Sequence, residues 1–216
     1  MIGRLQKQLR ETYQTDPGYD VRDFLITDAT VARAISDDNS LTTSGETLLL
    51  CDDGDEISLS LYLDEEIFDR LGFASPAAAL MAGQLDDLCK VIEGLSHFDF
   101  IACRASRDGS VSLLELELQA EVDKFVSTMQ LAMKEQDSEL ISSLHERLFN
   151  NVQFHNHLNQ EQLERYRAAS DFAARFCRGF ESALLASDEQ TLSELRRFYR
   201  MPLSDKVSYI HTCAWG

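Results

Sequence analysis

Residues 111–125 read VSLLELELQAEVDKF. Between Leu114 and Leu118 leucine and glutamate alternate strictly. A period of two is that of a β-strand with one face buried and the other in water. Such a strand needs a partner, so this stretch constrains the fold more than any other. The preceding residues, FDFIACRASRDGS, offer one. Asp108-Gly109 is the kind of pair that closes a tight hairpin, because glycine tolerates the positive φ the turn requires. With that pair at the turn centre, Cys103 faces Leu114, Ile101 faces Leu116 and Asp99 faces Leu118. The other face sets Phe100 against Glu117 and Ala102 against Glu115, with Arg104 diagonal to Glu115 and within salt-bridge reach.

A matching pattern lies upstream. ETLLLCDDGDEISLSLYL has two apolar runs around Asp53-Gly54. A tight turn there sets Leu50 opposite Ile57 and Leu48 opposite Leu59. Laying Gly54 on Gly109 superposes Leu59, Leu61 and Leu63 on Leu114, Leu116 and Leu118. The expected fold class is α+β: a small antiparallel sheet built from two Asp-Gly hairpins packed with helices, followed by a helical C-terminal region. The division expected is an acidic α+β domain over 1–136 and a helical region over 137–216, packed on the first as one unit.

Helical signals surround the strands. Ile2, Leu5, Leu9 and Tyr13 recur at helical spacing. Asp28 and Asp64 stand where helix N-caps stand, and Ser75-Pro76 pairs a cap with proline at the first helical position. From about Gln119 the period becomes helical, with Val122, Phe125, Val126, Met129 and Met133 on one stripe. DSELISSLHERLF continues as a helix, and NNVQFHNHLNQ reads as a loop. Residues 160–185 carry the clearest pattern, with Leu163, Tyr166, Ala173, Cys177, Phe180 and Leu184 on one side. A further helix over EQTLSELRRFYR is stopped by Pro202.

Charge narrows the function classes. The net charge is −17, and its distribution is uneven. Residues 1–150 hold 29 acids against 12 bases, whereas residues 151–216 hold 8 of each. Such a field repels nucleic acid and anionic membrane and attracts cations or basic proteins. The longest apolar run is far short of a membrane span, and the N-terminus has no apolar signal-peptide core, so a cytoplasmic protein is expected. The 5 cysteines never form a CxxC pair, which argues against a disulfide framework or a zinc knuckle.

Candidate sites are few. Glu115 and Glu117 would share a strand face roughly 7 Å apart, too wide to hold one metal without a third partner. Glu121 and Lys124 read as an i, i+3 helix pair, and the acid then Glu-x-Lys pattern of carboxylate-metal nucleases fails here because Val122 and Asp123 precede Lys124. His155 and His157 stand two apart, as ligands on a strand can, and His97 lies at a junction where it could cap, pack or ligate. Glu115, Glu117, His97, His155 and His157 are therefore the candidate metal set. Arg196, Arg197 and Arg200 are the candidate anion or partner-docking set. No Gly-rich phosphate loop, Gly-x-Ser-x-Gly elbow or His-Glu-x-x-His motif is present.

Three functions are expected from these features. The first is a non-enzymatic interaction or regulatory protein that uses its acidic surface toward a basic protein partner or for self-association, with no cofactor, nucleic acid or membrane. The second is a metal-dependent hydrolase in which a divalent metal is held by the Glu/His set. The third is a DNA mimic that occupies a nucleic-acid-binding protein.

Overall fold

A computed structural model describes residues 1–35, 45–52, 57–72, 75–106, 110–150, 158–185 and 189–213. The chain is mostly helical, with a small mixed sheet. Helix α1 (Ile2–Tyr13) leads through a 3-10 turn (Val21–Asp23) into β1 (Leu25–Ile26) and α2 (Ala29–Ile35). Strands β2 (Glu46–Asp52) and β3 (Ile57–Leu63) follow, then α3 (Glu65–Leu71), α4 (Pro76–Met81), α5 (Leu85–Ala105) and α6 (Leu113–Glu135). The chain continues with α7 (Ser138–Phe149), α8 (Gln160–Leu185), α9 (Glu189–Arg200) and α10 (Leu203–Cys213).

The sheet has the order β1-β3-β2. β2 and β3 are antiparallel, but β1 runs parallel to β3, pairing Leu25 with Leu61. The sheet is thus mixed rather than purely antiparallel. Leu50 pairs with Leu59 and Leu48 with Leu61, two residues away from the register a two-residue turn would give. A shift of two leaves every side chain on its expected face, whereas a shift of one would turn the strand over. Pairing ends at Asp52 and Ile57; Asp53-Gly54 lies outside the described residues. The leucine face, with Leu61 and Leu63 fully buried, packs on α5, and α2 covers part of the other face through Ala32, Leu49 and Tyr62.

The second expected hairpin does not exist. Residues 97–105 are the end of α5, and 113–118 are the start of α6; Asp108-Gly109 itself lies outside the described residues. The reason is composition. Leu, Glu, Gln and Ala are strong helix formers, and no β-branched residue interrupts 113–121. Ser112 caps the helix, accepting a hydrogen bond from the Glu115 amide at 3.2 Å. α6 is packed against α4, α5, α7 and α8, so nearly its whole circumference is interior. Leu116 and Leu118 are buried, and so are Glu115 (4% exposed) and Glu117 (7%), which a half-wet strand would have put in water. Alternation that looked like two faces of a strand is the two sides of a helix enclosed all round.

Elsewhere local signals and structure agree. Ile2, Leu5, Leu9 and Tyr13 form the buried face of α1. The Asp64 carboxylate accepts from the Glu66 amide, and Ser75 Oγ accepts from the Ala78 amide, each capping its helix. Pro202 ends α9, but its carbonyl also accepts the Asp205 and Lys206 amides and so begins α10, an element the sequence pattern did not reveal. The larger of two apolar clusters runs from Ile2 to Ile210 and draws on both sides of residue 136.

Candidate metal centre

The two long central helices place acids and a histidine on facing turns. On α5, Cys89, Glu93 and His97 follow one another at i, i+4 and i+8, so they lie on one face. On α6, Glu117, Glu121 and Lys124 stand at i, i+4 and i+7 and likewise share a face. Glu46 enters from the start of β2, and Arg165 and Tyr166 come from α8. Gly94 makes the approach of the sheet possible. A Cβ there would lie 2.8 Å from Leu61 Cδ1 and 3.0 Å from Glu46 Cγ, so a larger residue would crowd the side chains of β2 and β3 that face the helix.

His97 sits between two carboxylates. Its Nδ1 is 3.4 Å from Glu46 Oε1, and its Nε2 is 3.6 Å from Glu117 Oε2. The ring is buried, and Nε2 makes no hydrogen bond with any described residue. Burial opposes the imidazolium, but Glu117 and Glu46 outweigh it and hold the His97 pKa well above its ordinary value. Burial raises the Glu46 carboxyl, against the pull of His97. On the other side, Lys124 Nζ donates to Glu121 Oε1 at 2.7 Å and to Glu93 Oε2 at 3.1 Å. Burial likewise raises Glu121, opposed by Lys124. Burial pushes the neighbouring Cys89 thiol up to about 12, so it remains protonated. Arg165 Nε lies 3.8 Å from Glu117 Oε1, also buried without a hydrogen bond to a described residue.

Among the described residues, Glu93, His97 and Glu117 each offer a donor atom within 4.8 Å of the others. The separation of His97 Nε2 and Glu117 Oε2, 3.6 Å, exceeds a hydrogen bond. It is close to the edge of a tetrahedron around a zinc-sized ion, about 3.4 Å for bonds of about 2.1 Å. A carboxylate on the far nitrogen of a ligating histidine is the usual companion of a metal, because it fixes the ring's orientation and raises its basicity. Glu46 stands in that place. The centre also borders solvent, since the Glu93 side chain is 24% exposed.

Of the residues singled out by sequence, His97 and Glu117 meet here. Glu115, two positions before Glu117, accepts instead from Arg104 Nη2 at 2.6 Å. His155 and His157 lie outside the described residues. Glu46, Glu93, Arg165 and Tyr166 were not singled out. Glu93 lies one turn before His97 on α5, an i, i+4 spacing that the sequence alone displays. Arg196 and Arg200 are not part of this centre and donate to Thr12 O and Tyr13 O, both at 3.0 Å. They cap the C-terminal end of α1, while Arg197 lies over the Tyr209 ring.

A second buried network backs the first. Asp123 Oδ2 accepts from Ser96 Oγ at 2.6 Å, and Oδ1 accepts from Gln119 Nε2 at 2.8 Å and from the Tyr13 hydroxyl. Lys206 of α10, fully buried, donates to Gln119 Oε1 at 2.7 Å and lies against the Phe100 and Phe198 rings. Burial raises Asp123 to about 6 and lowers Lys206 to about 7.

Comparison with family models, with curated proteins and with solved structures returned no match. No helix among the described residues is long and apolar enough to cross a membrane.

Proposed function

We propose that this protein is a metal-dependent hydrolase whose divalent ion is held by Glu93, His97 and Glu117. The observation that carries the reading is His97 Nε2: a buried nitrogen without a hydrogen bond to any described residue, held between carboxylates at ligand spacing. Three protein ligands leave a coordination position open, which is the pattern of catalytic rather than structural sites. An ion there would supply a water of lowered pKa and a Lewis acid. The mixed imidazole and carboxylate donors suit Mn²⁺, Fe²⁺ or Zn²⁺ better than Ca²⁺. Glu46 would orient His97, and Arg165 would stabilise charge at the Glu117 side.

The test uses chelator-stripped protein titrated calorimetrically with Mn²⁺, Co²⁺ and Zn²⁺, with hydrolysis of activated esters and phosphoesters followed in parallel. One equivalent should bind, the Co²⁺ visible spectrum should report mixed nitrogen and oxygen ligands, and His97→Ala should lose at least tenfold in affinity. Unchanged metal binding in both His97→Ala and Glu117→Gln would remove the assignment. Metal binding with no hydrolysis of any ester or phosphoester would leave a metal-binding protein and remove the hydrolase.

A further inference from the structure

The carboxylate cluster is larger than one metal ion needs. Glu46, Glu93 and Glu117 lie near His97, and Glu121 stands one turn along α6 from Glu117 and shares Lys124 with Glu93. Centres that hold two metal ions between helices use a donor set of this kind, with carboxylates bridging the two cations. Here the half of the cluster away from His97 is filled. Lys124 Nζ joins Glu93 of α5 to Glu121 of α6 at 3.1 and 2.7 Å, the bridge that a cation makes between carboxylates of facing helices.

We propose that Lys124 is the second cation of this centre, a built-in ammonium that holds the Glu93–Glu121 half and limits the site to one metal ion. The inference rests on the metal reading above. Charge supports it. Once a bound metal has displaced the proton of His97, the four carboxylates, Lys124 and Arg165 sum to −2. One divalent ion brings that sum to zero; a second beside the ammonium would bring it to +2 in a largely buried site, where uncompensated charge is costly. Geometry supports it as well. Glu93 serves both halves, its Oε2 with Lys124 while it also stands within 4.8 Å of the His97 and Glu117 donors. The Lys124 side chain is 13% exposed, so bulk water does not substitute for it.

Removing the ammonium should therefore convert the site. Lys124→Ala deletes the charge and opens room, and Lys124→Gln deletes the charge while keeping a polar side chain beside the two glutamates. The experiment measures bound Mn²⁺ per chain after equilibrium dialysis, together with the electron paramagnetic resonance spectrum. Circular dichroism in excess Mn²⁺ checks the fold. Wild type should saturate at one Mn²⁺, with the six-line spectrum of an isolated ion. Lys124→Ala should saturate at two, with that spectrum replaced by the broadened signal of an exchange-coupled pair, and Lys124→Gln should take up a second ion more weakly. Absence of Mn²⁺ binding in wild type would overturn the metal reading and this inference together. Two ions in wild type, or one ion in both folded variants, would overturn this inference and leave the mononuclear centre standing. Variants that stay unfolded in excess Mn²⁺ would also count against it, because a second ion is expected to replace the missing positive charge.

Discussion

Glu46 and His97 meet across the seam between the sheet and α5, with Glu46 Oε1 3.4 Å from His97 Nδ1. The carboxylate comes from the first residue of β2 and the imidazole from the middle of α5. Their meeting depends on the leucine face of β3 lying directly on the helix, and that depends on Gly94. The sheet is small, but it is what presents Glu46 to the histidine.

Glu46→Gln should therefore weaken metal binding without removing a ligand. Loss of a carboxylate behind a ligating histidine typically costs about 10–100-fold in affinity. Calorimetric titration with Zn²⁺ checks this; an affinity equal to wild type would mean that Glu46 does not orient the ring.

Gly94→Ala should act on the same contact from the helix side. The new Cβ meets Leu61 Cδ1 at 2.8 Å and Glu46 Cγ at 3.0 Å. Overpacking of this kind costs about 1–3 kcal/mol, offset in part by about 1 kcal/mol of helix propensity. A urea titration should show a net loss of stability, and metal affinity should fall with it as Glu46 is pushed from His97. A variant more stable than wild type would show that the strands shift freely.

Burial of the glutamates reverses an expectation drawn from alternation. Glu115 of a half-wet strand would be cheap to neutralise and Leu116 costly to truncate. In the structure Glu115 is buried and paired with Arg104, whose side chain is 20% exposed. Removing one partner of a buried pair costs about 3–5 kcal/mol, less where the other retains some water, so Glu115→Gln should cost about 2–4 kcal/mol. Leu116→Ala should fall in a similar range, about 2–5 kcal/mol. Chemical denaturation of the two variants should give comparable losses, and a Glu115→Gln variant as stable as wild type would contradict the pairing.

These residues also show what the sequence carried and what it did not. Helices with one buried face, such as α1 with Ile2, Leu5, Leu9 and Tyr13, are legible because water on the other side imposes a period. The first turns of α6 have almost no wet side, so their leucines and glutamates are chosen by different neighbours and the helical period shows only from about Gln119. Before that residue only composition pointed to a helix. His97 and Glu117 could be picked out as chemistry-bearing residues, but helix α5 could not be set beside α6 while residues 98–104 and 111–118 read as paired strands. The acidic excess was read as surface charge, yet Glu46, Asp99, Glu115, Glu117 and Asp123 are buried. Composition counts charges without saying which of them reach water.

Arg196 and Arg200 show the same gap between composition and placement. Clustered arginines suggest an anion site, but these two donate to the carbonyls of Thr12 and Tyr13 at the end of α1. Arg200→Ala should cost about 1 kcal/mol, the net worth of such a hydrogen bond. Added phosphate should not shift the melting temperature of wild type beyond an equal ionic strength of chloride. A phosphate-specific shift abolished by Arg200→Ala would restore the anion site.

The buried network behind the centre sets a pH dependence that two substitutions can isolate. Burial holds Lys206 at about 7, below its ordinary 10.5. Between those values the unfolded chain binds the proton and the folded chain does not, so this residue's contribution to stability rises from about pH 7 to about pH 10.5 and is lowest below pH 7. Asp123, raised from 3.8 to about 6, behaves in the opposite sense. Its folded form holds the proton more tightly, so its contribution is greatest below pH 3.8 and is lost as pH rises through about 6. His97, also raised, loses its contribution as pH rises through its elevated value, so the wild-type curve alone mixes opposing slopes. Differences between curves separate them. The stability of wild type minus that of Lys206→Met should climb by a few kcal/mol between pH 7 and pH 10 and stay flat below pH 6. The same difference for Asp123→Asn should fall between pH 4 and pH 6 and stay flat above pH 7. Urea titrations at half-unit pH steps check both. A flat Lys206→Met difference across the alkaline range would mean that the ammonium stays charged inside the fold, held by Gln119 and the faces of Phe100 and Phe198.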